Sequence, residues 1–137
     1  MDLRTRIQTS FDRQAMMQTF GARLDEVARG RVALSAPILP GSRQQQGFAH
    51  AALTFGLGDS AAGYAALTTL PEDSEVVTAE IKINLTAPAR GDRLVARGQV
   101  IKPGRRLIVV TSEVVSLSNG EETLVAILQG TMVPVPS

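Results

Sequence analysis

The chain has no cysteine, no tryptophan, one tyrosine and a single histidine among its 137 residues. Without thiols it can form no disulfide, use no thiolate nucleophile and build no cysteine-based zinc or iron–sulfur site. One imidazole is too few for a histidine-rich metal site, so neither a metal nor a cofactor is expected. An excess of one charge is also lacking: fourteen Lys and Arg against thirteen Asp and Glu leave a formal +1. A nucleic-acid partner needs a clearly basic field, and none is expected here. The longest apolar stretch, Ala51 to Leu67, contains Asp59 and three glycines. It falls short of the roughly 20 apolar residues of a membrane span and reads as a buried core helix, with no membrane partner. The first thirty residues mix Asp2, Arg4, Arg6, Asp12 and Arg13 with apolar positions and hold no signal-peptide h-region. A reduced, cytoplasmic setting is therefore expected.

What is present is a globular composition, 44% hydrophobic and 20% charged, in a length that suits one domain over residues 1–137. Asp2 to Thr19 places Ile7, Phe11, Ala15 and Thr19 at steps of four, which predicts one amphipathic helix capped by Asp2. Gly21 to Ala36 reads as a β-hairpin turning at Ala28-Arg29-Gly30, and Pro37 to Gln46 as a loop. After the apolar helix, Val77, Ala79, Ile81, Ile83 and Leu85 alternate with Thr78, Glu80, Lys82, Asn84 and Thr86. Period-2 alternation predicts a strand that buries the first set on one face. Strands at Arg93–Lys102, Arg106–Leu117 and Thr123–Val133 follow, joined by Pro103-Gly104 and Asn119-Gly120. The first dipeptide predicts a type II turn and the second a tight hairpin turn, giving an antiparallel meander. The expected fold class is α+β, with an N-terminal helix and one antiparallel sheet covering a long helix.

Asp59 is the residue most in need of an explanation, because a carboxylate inside an otherwise uncharged helix must be partnered, protonated or functional. His50 precedes the same helix by one residue, and the nine-residue separation puts the two side chains about 180° apart around the axis. One chain therefore cannot present both to a single small group, but two copies related by a two-fold axis can. The N–H of Ala51, in the first turn, is a candidate oxyanion donor. Arg90, Arg105 and Arg106 lie at strand ends, where they can meet phosphates or simply stay solvated. Gly56, Gly58 and Gly63 follow no strand and make no phosphate loop, so close helix–sheet packing is expected of them.

The stretch Gln44-Gln45-Gln46-Gly47-Phe48-Ala49-His50-Ala51-Ala52-Leu53, followed by Leu57-Gly58-Asp59-Ser60, resembles the signature of hotdog-fold acyl-CoA thioesterases of the phenylacetate-degradation type. That signature has an Asn or Gln six residues before a His-Gly-Gly and an acid nine residues after the His. Gln44 and Asp59 stand at those spacings, while His50-Ala51-Ala52 departs from His-Gly-Gly. The resemblance implies a hotdog fold, in which a curved six-stranded antiparallel sheet wraps a long central helix. It implies hydrolysis of an acyl-CoA thioester with Asp59 as general base or nucleophile and Gln44 orienting the water or carboxylate. His50 would fix the loop, the Ala51 N–H would polarise the carbonyl, and Thr78 would keep a hydroxyl near the water. Arg90, Arg105 and Arg106 are the expected contacts of the CoA phosphates, and a homodimer is the expected assembly; pairing of dimers into a homotetramer is common in the family, and the sequence leaves it open. A hydratase on the same fold fits the spacing less well. The reading from another class is a non-catalytic acyl-CoA binder, favoured by the Ala51-Ala52 departure.

Overall fold

The computed structural model describes residues 1–137. The N-terminal segment forms two helices, α1 (Leu3–Asp12) and α2 (Ala15–Phe20), where the sequence pattern predicts one. The buried residues explain the break. Ile7 and Phe11 lie on one stripe, but on a continuous helix Met17, 2% exposed, would fall about 80° from Ile7 and about 120° from Phe11, off that stripe, and the break at Gln14 returns it to the core. The Asp2 carboxylate starts α1 by accepting the Thr5 N–H at 2.8 Å, and Gly21, at φ +67°, ends α2.

Strands β1 (Arg23–Ala28) and β2 (Arg31–Pro37) make the expected hairpin, and a short 3-10 turn at Pro40–Ser42 leads toward α3 (Ala51–Leu67). The remaining strands are β3 (Ser74–Leu85), β4 (Arg93–Lys102), β5 (Ile108–Ser118) and β6 (Glu121–Pro136). All pair antiparallel in the order β1-β2-β4-β5-β6-β3, so β1 and β3 are the edges. The sheet wraps α3, and α1 and α2 pack beside it, with the Phe11 and Tyr64 rings 6.3 Å apart. This is the hotdog architecture. No helix is long and apolar enough to cross a membrane.

Small residues set how closely the layers meet. A Cβ on Gly98 of β4 would collide with the Ala61 backbone, and one on Gly58 would come within 2.8 Å of Leu128. Gly56 departs from the expected helix–sheet contact, since it makes room for the Phe20 ring of α2. The Asn119-Gly120 turn has positive φ at both residues, 53° and 81°, as a type I′ hairpin turn requires. Pro103-Gly104 does not form the predicted type II turn: Gly104 lacks the positive φ, and Pro103 to Leu107 make a wider connection. Arg106, expected to open β5, lies in that connection.

The alternation expected for residues 77–85 also needs correction. The β3–β6 register shifts between Thr78 and Glu80, so Ala79 is a bulge residue and the inward parity switches there. Val76 packs on the core before the bulge and Ile81 and Ile83 after it, while Val77 is left 51% exposed. The switch turns Thr78 toward α3.

Candidate active site

The loop before α3 folds by its own hydrogen bonds. Gln44 N–H donates to Phe48 O at 2.9 Å, Gly47 takes φ +89°, and the Arg43 guanidinium holds Gly47 O at 2.7 Å and Ile38 O at 2.8 Å. The Gln44 side chain works inside this loop. Its Oε1 accepts the Gln46 and Phe48 N–H groups, and its Nε2 donates to Gln46 Oε1 at 3.1 Å. His50 then caps α3, its N–H bonded to Ser42 O and its Nδ1 accepting the Ala52 N–H at 2.9 Å. That bond requires an unprotonated Nδ1 and leaves the ring N–H on Nε2. The Ala51 N–H makes no hydrogen bond within the chain.

Gln44, His50 and Ala51 share the wall of a cavity of about 560 Å³ with Phe48, Leu85 and Val125. Arg90 stands beside it, its guanidinium 4.7 Å from the centre of the Phe48 ring. A cation over an aromatic face is held by the ring quadrupole.

Asp59 lies elsewhere. Nine residues of helix carry it about 13.5 Å from His50 along the axis, and it lines a second cavity of about 250 Å³ with Thr78, Tyr64, Val76 and Met132. The Thr78 hydroxyl donates to Asp59 Oδ1 at 2.7 Å and sits 3.3 Å from Met132 Sδ. The half-buried carboxylate is therefore partnered by a hydroxyl, with no cation in the cavity wall. Within one chain the structure brings Gln44, His50 and Ala51 together, and separately Asp59 and Thr78. Arg105 and Arg106 are exposed in the β4–β5 connection beside Gly104 and Leu107, and share a cavity with neither group.

Several lining residues were not singled out from sequence. Gln46 and Phe48 stand in the loop motif itself, so position alone could have flagged them. Ser10, Gln14 and Met132 enter by long-range folding, and no local pattern announces them.

The fold is the hotdog, and the candidate residues fall into two separate groups along its central helix. Residues 46–123 match the model of the thioesterase superfamily, and the chain belongs to that family. A thioesterase family protein from Silicibacter pomeroyi is similar throughout, with a TM-score of 0.97, 38% identity and coverage of 99% of this chain and 100% of that one. The Escherichia coli PaaI protein from the phenylacetic acid degradation operon shares the fold, with a TM-score of 0.88 at 20% identity over 98% of this chain and 94% of its own. A Haemophilus influenzae thioesterase does so with a TM-score of 0.85 at 19% identity, over 99% and 92%. A candidate esterase of Saccharolobus solfataricus is 36% identical over 87 residues, 64% of this chain and 55% of that protein. The chain thus spans about half the length of this curated relative.

Proposed function

We propose that the protein hydrolyses acyl-CoA thioesters, in sites that each combine residues from two copies of the chain. The observation that carries this reading is the division of the candidate groups. An unpartnered N–H stands at the start of α3, and a hydroxyl-bonded carboxylate stands about 12 Å further along, facing another cavity. A thioester carbonyl cannot meet both in one chain. A two-fold axis that sets α3 beside its copy would bring the Ala51 N–H of one chain to Asp59 of the other, twice over. The outer edge of β3 is unpaired within the chain and suits such a pairing. Further pairing would give a tetramer.

In this site Asp59 removes a proton from the attacking water, or attacks the carbonyl carbon itself. Thr78 fixes which carboxylate oxygen is free. The negative charge that develops on the carbonyl oxygen falls on the Ala51 N–H and the positive end of α3. With Asp59 as base, the tetrahedral intermediate collapses by breaking the C–S bond, the leaving CoA thiolate takes up the proton that Asp59 removed from water, and a carboxylic acid is left. With Asp59 as nucleophile, the same cleavage leaves a mixed anhydride on Asp59, which water then hydrolyses to the acid. The CoA thiol's ordinary pKa of about 8.5 makes it a good leaving group near neutral pH. Gln44 and His50 hold the loop and first helical turn in place. Arg90, steadied by Phe48, and Arg105 and Arg106 on the exposed connection supply cations for the CoA phosphates.

Asp59→Asn should keep the fold and lower kcat/KM by roughly 10²–10⁴-fold in a thiol-release assay. Wild-type turnover in that variant removes Asp59 from the reaction. Mixing Asp59→Asn with the Gln44→Ala, His50→Ala double variant under subunit exchange should restore roughly a quarter of wild-type activity, since random pairing makes half the dimers mixed and each has one intact site. No recovery after proven exchange overturns the shared site. The second reading, a non-catalytic acyl-CoA binder, draws on the Ala51 and Ala52 methyl groups and the already engaged Gln44 amide. Tight binding without thiol release across a panel of acyl-CoAs would favour it.

A further inference from the structure

The Asp59 cavity has a second polar group of residues that the proposed chemistry does not use. The Tyr64 hydroxyl, on α3 about 7.5 Å along the axis from Asp59, accepts Gln14 Nε2–H at 2.8 Å and lies 3.2 Å from Ser10 Oγ. Gln14 occupies the N-cap position of α2, yet its side chain makes no bond to that helix and turns to Tyr64 instead. A buried tyrosine hydroxyl needs a partner, and one would suffice. Here it has two, and Gln14 Oε1 remains without an intrachain partner in the cavity wall. Ser10 and Gln14 also lie outside the 46–123 stretch that matches the family, so the cluster is contributed by the N-terminal helices of this chain.

The rest of the cavity restricts what can reach these groups. Leu67, Val76 and Met132 are apolar, and its two charged lining residues, Asp59 and Glu75, are both acids. Arg13, which pairs with Glu75 at 3.8 Å, is not part of the lining. A carboxylate-ended group would therefore enter against like charge. Roughly 150 Å³ accommodates a benzene-sized molecule, so about 250 Å³ admits one ring or a short chain with a polar end.

We infer that Gln14 and Tyr64, with Ser10, set acyl specificity, selecting a short neutral acyl group that carries a hydroxyl at the end remote from the thioester. This rests on the reading that the thioester carbonyl lies at Asp59. The substrate hydroxyl donates to Gln14 Oε1 and accepts from the Ser10 or Tyr64 hydroxyl, so each polar group of the cluster stays paired on binding. Selectivity then arises because a methyl in place of that hydroxyl leaves the amide oxygen desolvated and unpaired.

Calorimetric binding of three non-hydrolysable thioethers, S-(ω-hydroxypentyl)-CoA, S-hexyl-CoA and S-(ω-carboxybutyl)-CoA, tests this without depending on turnover. Wild-type protein should bind the hydroxyl probe roughly tenfold more tightly than the hexyl probe, as one net buried hydrogen bond implies. The carboxylate probe should bind weakest. Tyr64→Phe and Gln14→Leu should each reduce the hydroxyl preference to less than about threefold. Equal binding of all three probes by the wild type overturns the inference even if acyl-CoA hydrolysis is normal. So does an undiminished preference in the folded variants, which would leave the cluster a purely structural pin. A clear preference in a protein that releases no thiol would instead uphold the specificity site and fail the hydrolase reading. The wild-type comparison decides the matter if Tyr64→Phe does not fold.

Discussion

The two ends of α3 are treated in opposite ways. At its N-terminal end, His50 supplies its own imidazole to the Ala52 N–H and its carbonyl to Leu53, while the Ala51 N–H is left free. At the other end, the Arg6 guanidinium from α1 donates to the carbonyls of Leu67, Leu70, Pro71 and Ser74. Thr68 adds to this end, its hydroxyl donating to Ala65 O at 2.6 Å and accepting Gly30 N–H at 2.7 Å. The helix carries about half a positive charge at its start and half a negative charge at its finish. The negative end meets a cation and saturated hydrogen bonds; the positive end keeps an open donor. One end of α3 thus closes its polar groups within the chain, and the other leaves a backbone donor open, the arrangement by which a helix start can bind an anion.

The largest change in stability should come from the closed end. Arg6→Met keeps the aliphatic stem but removes charge-assisted bonds to four carbonyls, which should destabilise the protein by about 2 kcal/mol. Denaturant unfolding measures this, and kcat/KM per folded molecule should change little because Arg6 reaches neither half-site. A collapse of activity in the folded Arg6→Met protein would mean that the ends of α3 are not separable. The open end should respond in the reverse sense. His50→Ala removes the cap and should cost about 1 kcal/mol of stability, yet lower kcat/KM more than that loss explains, since the first turn carries the Ala51 donor. His50→Asn restores an N-cap oxygen and should recover the stability. If it also recovers full turnover, His50 acts only through the cap.

The same contrast separates what the sequence disclosed from what it concealed. Gln44, His50 and Asp59 were legible because their relation is local, fixed by a loop and by helical spacing. The hairpin at Gly30, the α3 span and the β4-β5-β6 meander were legible for the same reason: turn residues and periodicity act over a few positions. Thr78 was assigned from resemblance, while its own alternation placed it on the wrong face. The Ala79 bulge that turns it inward exists only in the register against β6. The break at Gln14 was hidden because Met17 needs a place in the core that no repeat of four reveals. Tyr64 meets Gln14 across 50 residues and Ser10 across 54, separations at which sequence pattern carries no signal.

The smallest expected effect concerns a third helix end, the start of α1, which carries Arg6 and Ser10. Unlike the start of α3 it is closed by a charged side chain: Asp2 Oδ1 accepts the Thr5 N–H at 2.8 Å. The Thr5 backbone hydrogen bond, aided by the Thr5 side chain and the positive amino terminus, holds the Asp2 carboxyl below its ordinary pKa. A depressed folded-state pKa means that unfolding takes up protons on the acid side. The contribution is therefore fully present above the ordinary aspartate pKa and is lost as pH falls through the folded-state value. Asp2→Asn retains an acceptor oxygen but not the charge, so its thermal midpoint should fall less steeply over that acid range, with the two curves converging at the lowest pH. Because Asp2 is fully exposed, added salt should narrow the difference further. Parallel curves for wild type and Asp2→Asn would show that the start of α1 is held by packing of Ile7 and Phe11 alone.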